Sequence, residues 1–217
     1  MELAVLEVGK AYGGQPVLSD ISFTLSENDR ALLLGPSGSG KSTLLNIICG
    51  LQTPDSGSVR AGDEYVTKAG NAANGDHVRK RSMGIIFQTL RLVSALNVTA
   101  NLALAQKLQT GATDSALISQ TLDRLSIAHR AHARPFELSQ GEAQRAAIAR
   151  ALVVRPKVLI ADEPTSALDH TNTESVAKLL IEVAEEAGAT LLVATHDDRL
   201  KPYFERTLEL KEGQLGA

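Results

Sequence analysis

The apolar positions of this chain change their spacing several times, and each change predicts a different element. Leu3 to Val8 is dominated by apolar residues, and Ile21-Ser22-Phe23-Thr24-Leu25 alternates strictly, as half-buried strands do. Ala31 to Leu34 is a continuous apolar run. Gly57 to Ala61 follows the turn residues Thr53-Pro54-Asp55-Ser56-Gly57, which predicts a further strand and a partly antiparallel sheet in the first sixty or so residues. Residues 67–77 are polar and rich in Gly and Asn and read as a loop, before Met83 to Phe87 resumes an apolar strand.

From Asn97 to Ala133 the pattern becomes helical. Leu102, Leu104 and Leu108, then Leu117, Ile118, Leu122 and Leu125, recur mostly at three- and four-residue steps and predict a helical lobe. An Ala-rich helix is expected from about Gln140 to Val153, stopped by Pro156. Val158 to Ala161 and Leu191 to Ala194 are continuous apolar runs, separated by a helix around Glu174 to Glu186. Buried strands alternating with helices indicate an α/β fold with a mostly parallel core sheet covered on both faces, joined to an antiparallel N-terminal portion. The expected organisation is one domain over residues 1–217, with a core lobe of about 1–88 and 154–217 and a helical subdomain of about 89–153.

Composition narrows the class. At 43% hydrophobic and 22% charged residues the chain is able to bury a full core, and a net charge of −3 gives no electrostatic reason to expect nucleic acid. The basic run Arg79-Lys80-Arg81 reads as a solvated face. A single cysteine, Cys49, excludes an internal disulfide, and a buried Cys49 in a reducing cytosol is expected. No apolar stretch reaches the about 18 residues needed to span a bilayer, and Met1-Glu2-Leu3 lacks the start of a signal peptide, so no direct membrane insertion is expected.

Between the Ala31 strand and a helix over Ser42 to Cys49 lies Gly35-Pro36-Ser37-Gly38-Ser39-Gly40-Lys41-Ser42, which fits G-x-x-x-x-G-K-[ST]. Glycines let several backbone N–H groups converge on one phosphate, the helix start adds partial positive charge, and Lys41 neutralises the β and γ oxygens while Ser42 offers its hydroxyl to Mg²⁺. Kinases, GTPases, motors and transport ATPases share this loop. Asp162-Glu163 emerges at the end of the Val158 strand, where open α/β sheets place ligands; Asp162 is suited to holding Mg²⁺ and Glu163 to taking a proton from the attacking water. Gln88 ends the Met83 strand, where its amide can reach the metal and orient water, and His196 ends the Leu191 strand, where it can donate to a γ-phosphate. His129 and His132 lie three apart, but nothing completes a metal set. Ser139 and Glu142 match a capping box, and this helix start, with Gly141, is also a second anion site.

Taken together, GPSGSGKST, Gln88, LSQGEAQR, VLIADEP, SALD and His196 occur in the order found in the ATP-binding cassette (ABC) family, which the chain resembles over nearly its whole length. The resemblance implies a phosphate-loop ATPase that binds ATP and Mg²⁺. It also implies a head-to-tail dimer, expected to be a homodimer, in which ATP lies between the loop of one subunit (Gly35 to Thr43) and Ser139, Gly141 and Glu142 of the other. Tyr12 would stack on adenine, and Ser166-Ala167-Leu168-Asp169 would communicate across the dimer. An integral membrane permease is the implied partner, with the chain peripheral on the cytoplasmic face. The signature departs from the family's usual pattern at Gln140 and Glu142, and a carboxylate at Glu142 predicts binding with slow turnover. The segment Gln88 to Leu102 resembles the lipoprotein-release, macrolide-efflux and cell-division members, with Ser94 and Ala100 replacing a frequent proline and glutamate. Two rivals follow: a mechanotransmission module that moves no cargo, and a small-molecule kinase or GTPase, which lacks an N-K-x-D motif here.

Overall fold

The computed structural model describes residues 1–71, 75–165 and 170–216. Two sheets stack. The first is antiparallel: β1 (Leu3–Tyr12) pairs with β2 (Gln15–Leu25) on one edge and β4 (Ser56–Ala61) on the other, and β5 (Glu64–Lys68) adds to β4. Gly13 and Gly14, at φ 57° and 82°, close the β1–β2 hairpin, since a two-residue turn of this hand needs left-handed backbone at both positions. The second sheet has the order β10-β9-β3-β8-β7-β6, from β10 (Gln214–Leu215), β9 (Arg206–Lys211), β3 (Arg30–Leu34), β8 (Thr190–Thr195), β7 (Val158–Asp162) and β6 (Met83–Ile86). All its pairings are parallel except β10 on β9.

Alternate residues of the central strands serve two cores, which is why the strands read as unbroken apolar runs. Leu33, Ile160 and Leu192 pack with the antiparallel sheet and with α1 (Lys41–Ile48). Leu32, Leu159 and Leu191 pack with α3 (Val98–Thr110), α4 (Ser115–Arg124), α5 (Gln140–Leu152) and α6 (His170–Ala187). The buried residues of α3 to α5 share that one core with the sheet, and the small side chains Ala146, Ala147, Ala149 and Ala151 let α5 lie close to it.

Several expectations need correction. Residues 67–77 are not all loop: β5 runs to Lys68, and α2 (Gly75–Ser82) begins at Gly75. Helix α2 is held from outside as well as by its own pattern, because Arg79 Nη1 donates to the Cys49 and Gly50 carbonyls at 3.1 and 3.4 Å, where α1 ends. Part of the basic run therefore caps a neighbouring helix. In α3 the buried face is Val98, Asn101, Leu102 and Gln106, and Leu108 is 61% exposed. The polar members are there for hydrogen bonding: Asn101 accepts from Val93 N at 2.8 Å and donates to the Val93, Leu96 and Asn97 carbonyls, pinning the segment that follows Gln88. Strands β9 and β10 carry too little apolar sequence to announce themselves.

Cys49 is free and buried, and burial pushes its thiol up to about 12. Alkylation with iodoacetamide at pH 8 is therefore expected to be at least about a hundredfold slower in the native protein than in denaturant, since the thiolate is the nucleophile. Labelling at equal rates in the two states would refute this.

Candidate functional site

The loop of residues 35–40 leaves the C-terminal end of β3 and opens into α1. Gly35 is packed so closely that a Cβ would lie 2.3 Å from the Leu210 carbonyl oxygen. Gly40, at φ 102°, is the N-cap of α1 and offers no side chain to the first-turn amides of Lys41, Ser42 and Thr43. Those amides thus form an uncapped helix start of the kind that receives an anion. Pro36, Ser37 and Gly38 are exposed, whereas Ser39 is buried with its hydroxyl oxygen unpaired among the described residues.

Beside the loop is a cavity of about 320 Å³ lined by Val17, Ser37, Gly38, Gly40, Lys41, Ser42, Thr43, Gln88, Glu163 and His196. Sheet order makes this gathering possible. Parallel strands β6, β7 and β8 all end on the side where β3 delivers the loop, so Gln88, Asp162, Glu163 and His196 arrive from three separate connections.

Lys41 is 6% exposed and donates to the Gly35 and Pro36 carbonyls at 2.7 and 3.1 Å, with Glu163 Oε1 3.4 Å away. The side chains of Lys41, Thr195 and His196 hold Glu163. His196 Nδ1 lies 3.0 and 2.9 Å from its two oxygens, the Thr195 hydroxyl donates to Oε2 at 3.2 Å, and its own N–H donates to the Ala194 carbonyl. Its backbone sits at φ 47°, a conformation costing about 1 kcal/mol or more for a side-chain-bearing residue. That turn aims a nearly buried carboxylate into the cavity. Next to it, Asp162 Oδ1 is 3.4 Å from Ser42 Oγ. Burial raises the Asp162 pKa, the Ser42 hydrogen bond partly reverses this, and the charge of Glu163 raises it again. The Ser42 hydroxyl, the Asp162 carboxylate and the Gln88 amide are hard oxygen donors, the type Mg²⁺ takes.

Other predicted positions lie elsewhere. Tyr12 stands at the tip of the β1–β2 hairpin, 48% exposed, with its hydroxyl bonded to Gln52 Nε2 and the Lys10 ammonium 5.7 Å from the ring centre; it does not line the cavity. Ser139, Gly141 and Glu142 are at the start of α5, also outside the lining. The capping box is present in full: Glu142 N donates to Ser139 Oγ at 3.4 Å, and Ser139 N donates to Glu142 Oε2 at 2.8 Å. His129 faces Glu142 at 3.2 Å. Asp169, with the rest of SALD, lies outside the described residues. Two contributors escaped the sequence reading. Thr195 is one, signalled only by adjacency to His196; the other is Arg130, whose Nε donates to Glu142 Oε1 at 2.6 Å.

Residues 18–166 match the family model described as ABC transporter. This chain belongs to the ABC transporter family. The cassette is an ATP-binding, ATP-hydrolysing subunit of that family. It is 41% identical to the lipoprotein-releasing system ATP-binding protein LolD of Geobacter metallireducens, over 99% of this chain and 98% of that protein. Against LolD of Hydrogenovibrio crunogenus the identity is 38%, over 92% and 87%. The dimeric structure of MJ0796, a bacterial ABC transporter cassette, superposes with a TM-score of 0.88 at 32% identity, covering 99% of this chain and 97% of that one. A dimeric post-hydrolysis state of MJ0796 bound to ADP and Pi gives 0.89 at the same identity and coverage. The likeness to the ABC ATPase cassettes therefore extends over the whole fold, both sheets and the helices included.

Proposed function

We propose that two copies of this chain clamp MgATP between the phosphate loop of one and the α5 start of the other, hydrolyse it, and thereby drive a membrane permease in lipoprotein release. Lys41 and the first-turn amides of α1 would hold the β and γ phosphates, Ser42, Gln88 and Asp162 would hold Mg²⁺, and Tyr12 would meet the adenine. Bound there, Mg²⁺ would neutralise charge on the β and γ phosphates. Glu163 would accept the proton of the attacking water, with His196 and Thr195 fixing its two oxygens. Within each copy, the core lobe of residues 1–88 and 154–217 would carry the loop, and the helical subdomain of residues 89–153 would present α5.

The observation that carries the clamp is Gly141. Its φ is not in the left-handed region, and a Cβ added there would meet nothing within 4 Å among the described residues. Glycine gives up more backbone freedom on ordering than any other residue, and among the described residues no packing at this second position of α5 gives a reason for it. A close approach from outside the chain does. Ser139, exposed at the same helix start, offers a hydroxyl and the amides that follow it. The lipoprotein assignment rests on the curated LolD relatives.

The test is Ser139→Ala. Turnover is expected to fall by at least about tenfold, with nucleotide affinity of the dilute monomer unchanged because its own loop is intact. Ser139→Thr, which keeps both hydroxyl and cap, should retain most activity. A Ser139→Ala protein that binds ATP poorly as a monomer, or turns over normally, would show that the site is not shared.

A further inference from the structure

Glu142 places a negative charge where the proposed clamp has least use for one. If the start of α5 closes on the phosphates of a nucleotide carried by a second copy, a bare carboxylate three residues from Ser139 opposes closure. Yet the structure supplies this carboxylate with donors from its own chain. Oε2 accepts the Ser139 N–H at 2.8 Å and the Ser139 hydroxyl at 2.9 Å. Oε1 accepts Arg130 Nε at 2.6 Å, and His129 Nε2 is 3.2 Å from the same oxygen.

Arg130 comes from outside α5, from a short 3-10 turn over Ala128–Arg130. The residues that follow this turn are tied to the start of α3: Val98 N donates to the Ala133 carbonyl at 3.0 Å, and Thr99 donates through N and Oγ1 to the Ala131 carbonyl at 3.0 and 2.9 Å. The guanidinium is thus delivered by a fixed segment. Its hydrogen bond, with those of Ser139, holds the Glu142 carboxyl down to about 2.

The Ser139 hydroxyl has a single proton, which here goes to Glu142 Oε2. To donate to a phosphate oxygen it must turn away, leaving Oε2 with the Ser139 N–H and Oε1 with Arg130.

We propose that Arg130 is a positioning residue for the nucleotide clamp: it neutralises Glu142 and holds the carboxylate, so that the Ser139 hydroxyl can turn its hydrogen bond to a phosphate oxygen of the nucleotide held by a second copy. This explains how a signature carrying Glu142 closes on ATP, and it rests on the clamped-dimer reading. Arginine suits the role because its fork presents several N–H groups in fixed directions.

The test is made in the Glu163→Gln background, with MgATP titrated and dimer formation followed by sedimentation or small-angle scattering. Arg130→Gln is expected to raise the ATP concentration at half-dimerisation by roughly tenfold. Adding Glu142→Gln, which retains a capping-box side chain, is expected to return it to within about threefold of the parent. If Arg130 served only local structure, the double variant would be as weak as Arg130→Gln alone, and the inference would be overturned. Dimerisation of Arg130→Gln at the parent's ATP concentration would overturn it too. A Glu163→Gln parent that stays monomeric at saturating MgATP would instead remove the clamped-dimer reading, a failure distinguishable from that of Arg130.

Discussion

Glu163→Gln is expected to lower kcat for ATP hydrolysis by about 10²- to 10⁴-fold, the contribution typical of a positioned general base. The amide is nearly isosteric with the carboxylate and can still pair with Thr195 and His196, so the geometry of the β7 and β8 ends should survive. What it cannot do is take a proton from water. Nucleotide affinity should hold or rise, because Glu163 Oε1 sits 3.4 Å from Lys41 Nζ and competes with a γ-phosphate for the same cation. Steady-state phosphate release and nucleotide titration measure the two effects separately. A variant that hydrolyses ATP within about threefold of the parent would mean that Glu163 is not the base.

Lys41→Ala should act on binding instead. The ammonium is nearly buried and, among the described residues, is held by two loop carbonyls and Glu163, so it stands ready at the cavity before any phosphate arrives. Each charge-assisted hydrogen bond lost is worth about 1.5–3 kcal/mol. Losing two such bonds to phosphate oxygens predicts at least a hundredfold weaker ATP binding, measured by calorimetry or a fluorescent analogue. Removing Lys41 also leaves Glu163 without a cationic neighbour on that side, so a lower melting temperature is a separate expected consequence. The double variant Lys41→Ala/Glu163→Gln removes that unpaired charge and should recover stability without recovering affinity. ATP binding within threefold of the parent in Lys41→Ala would exclude the assigned role.

Much of the site was readable because its parts are local. A strand, six loop residues and a helix start form the phosphate loop from consecutive sequence, and four apolar residues ahead of Asp162 and Glu163 mark a buried strand end. The Ser139 and Glu142 capping box is likewise contained within four residues. Less was readable where stability comes from elsewhere. Helix α2 begins in Gly- and Asn-rich sequence and is supported through Arg79 by the end of α1. The buried face of α3 includes Asn101 and Gln106, whose polarity conceals a core role until their backbone partners are known. The pairing of Glu142 with a guanidinium was not readable, because Arg130 lies twelve residues earlier and outside α5.

By itself, then, the sequence determined the chemistry available: a glycine loop with Lys41 and Ser42, acidic residues at a strand end, and a capped helix start with a serine hydroxyl. These depend on backbone conformations that neighbouring residues dictate. Only the tertiary structure decided their meeting. The order β3-β8-β7-β6 brings Gln88, Glu163 and His196 to Lys41, and the turn over Ala128–Arg130, followed by residues hydrogen-bonded to the start of α3, brings Arg130 to Glu142. Such meetings follow from which strands pair and which helix faces are buried, choices made by long-range burial of apolar surface and not by any local run of residues.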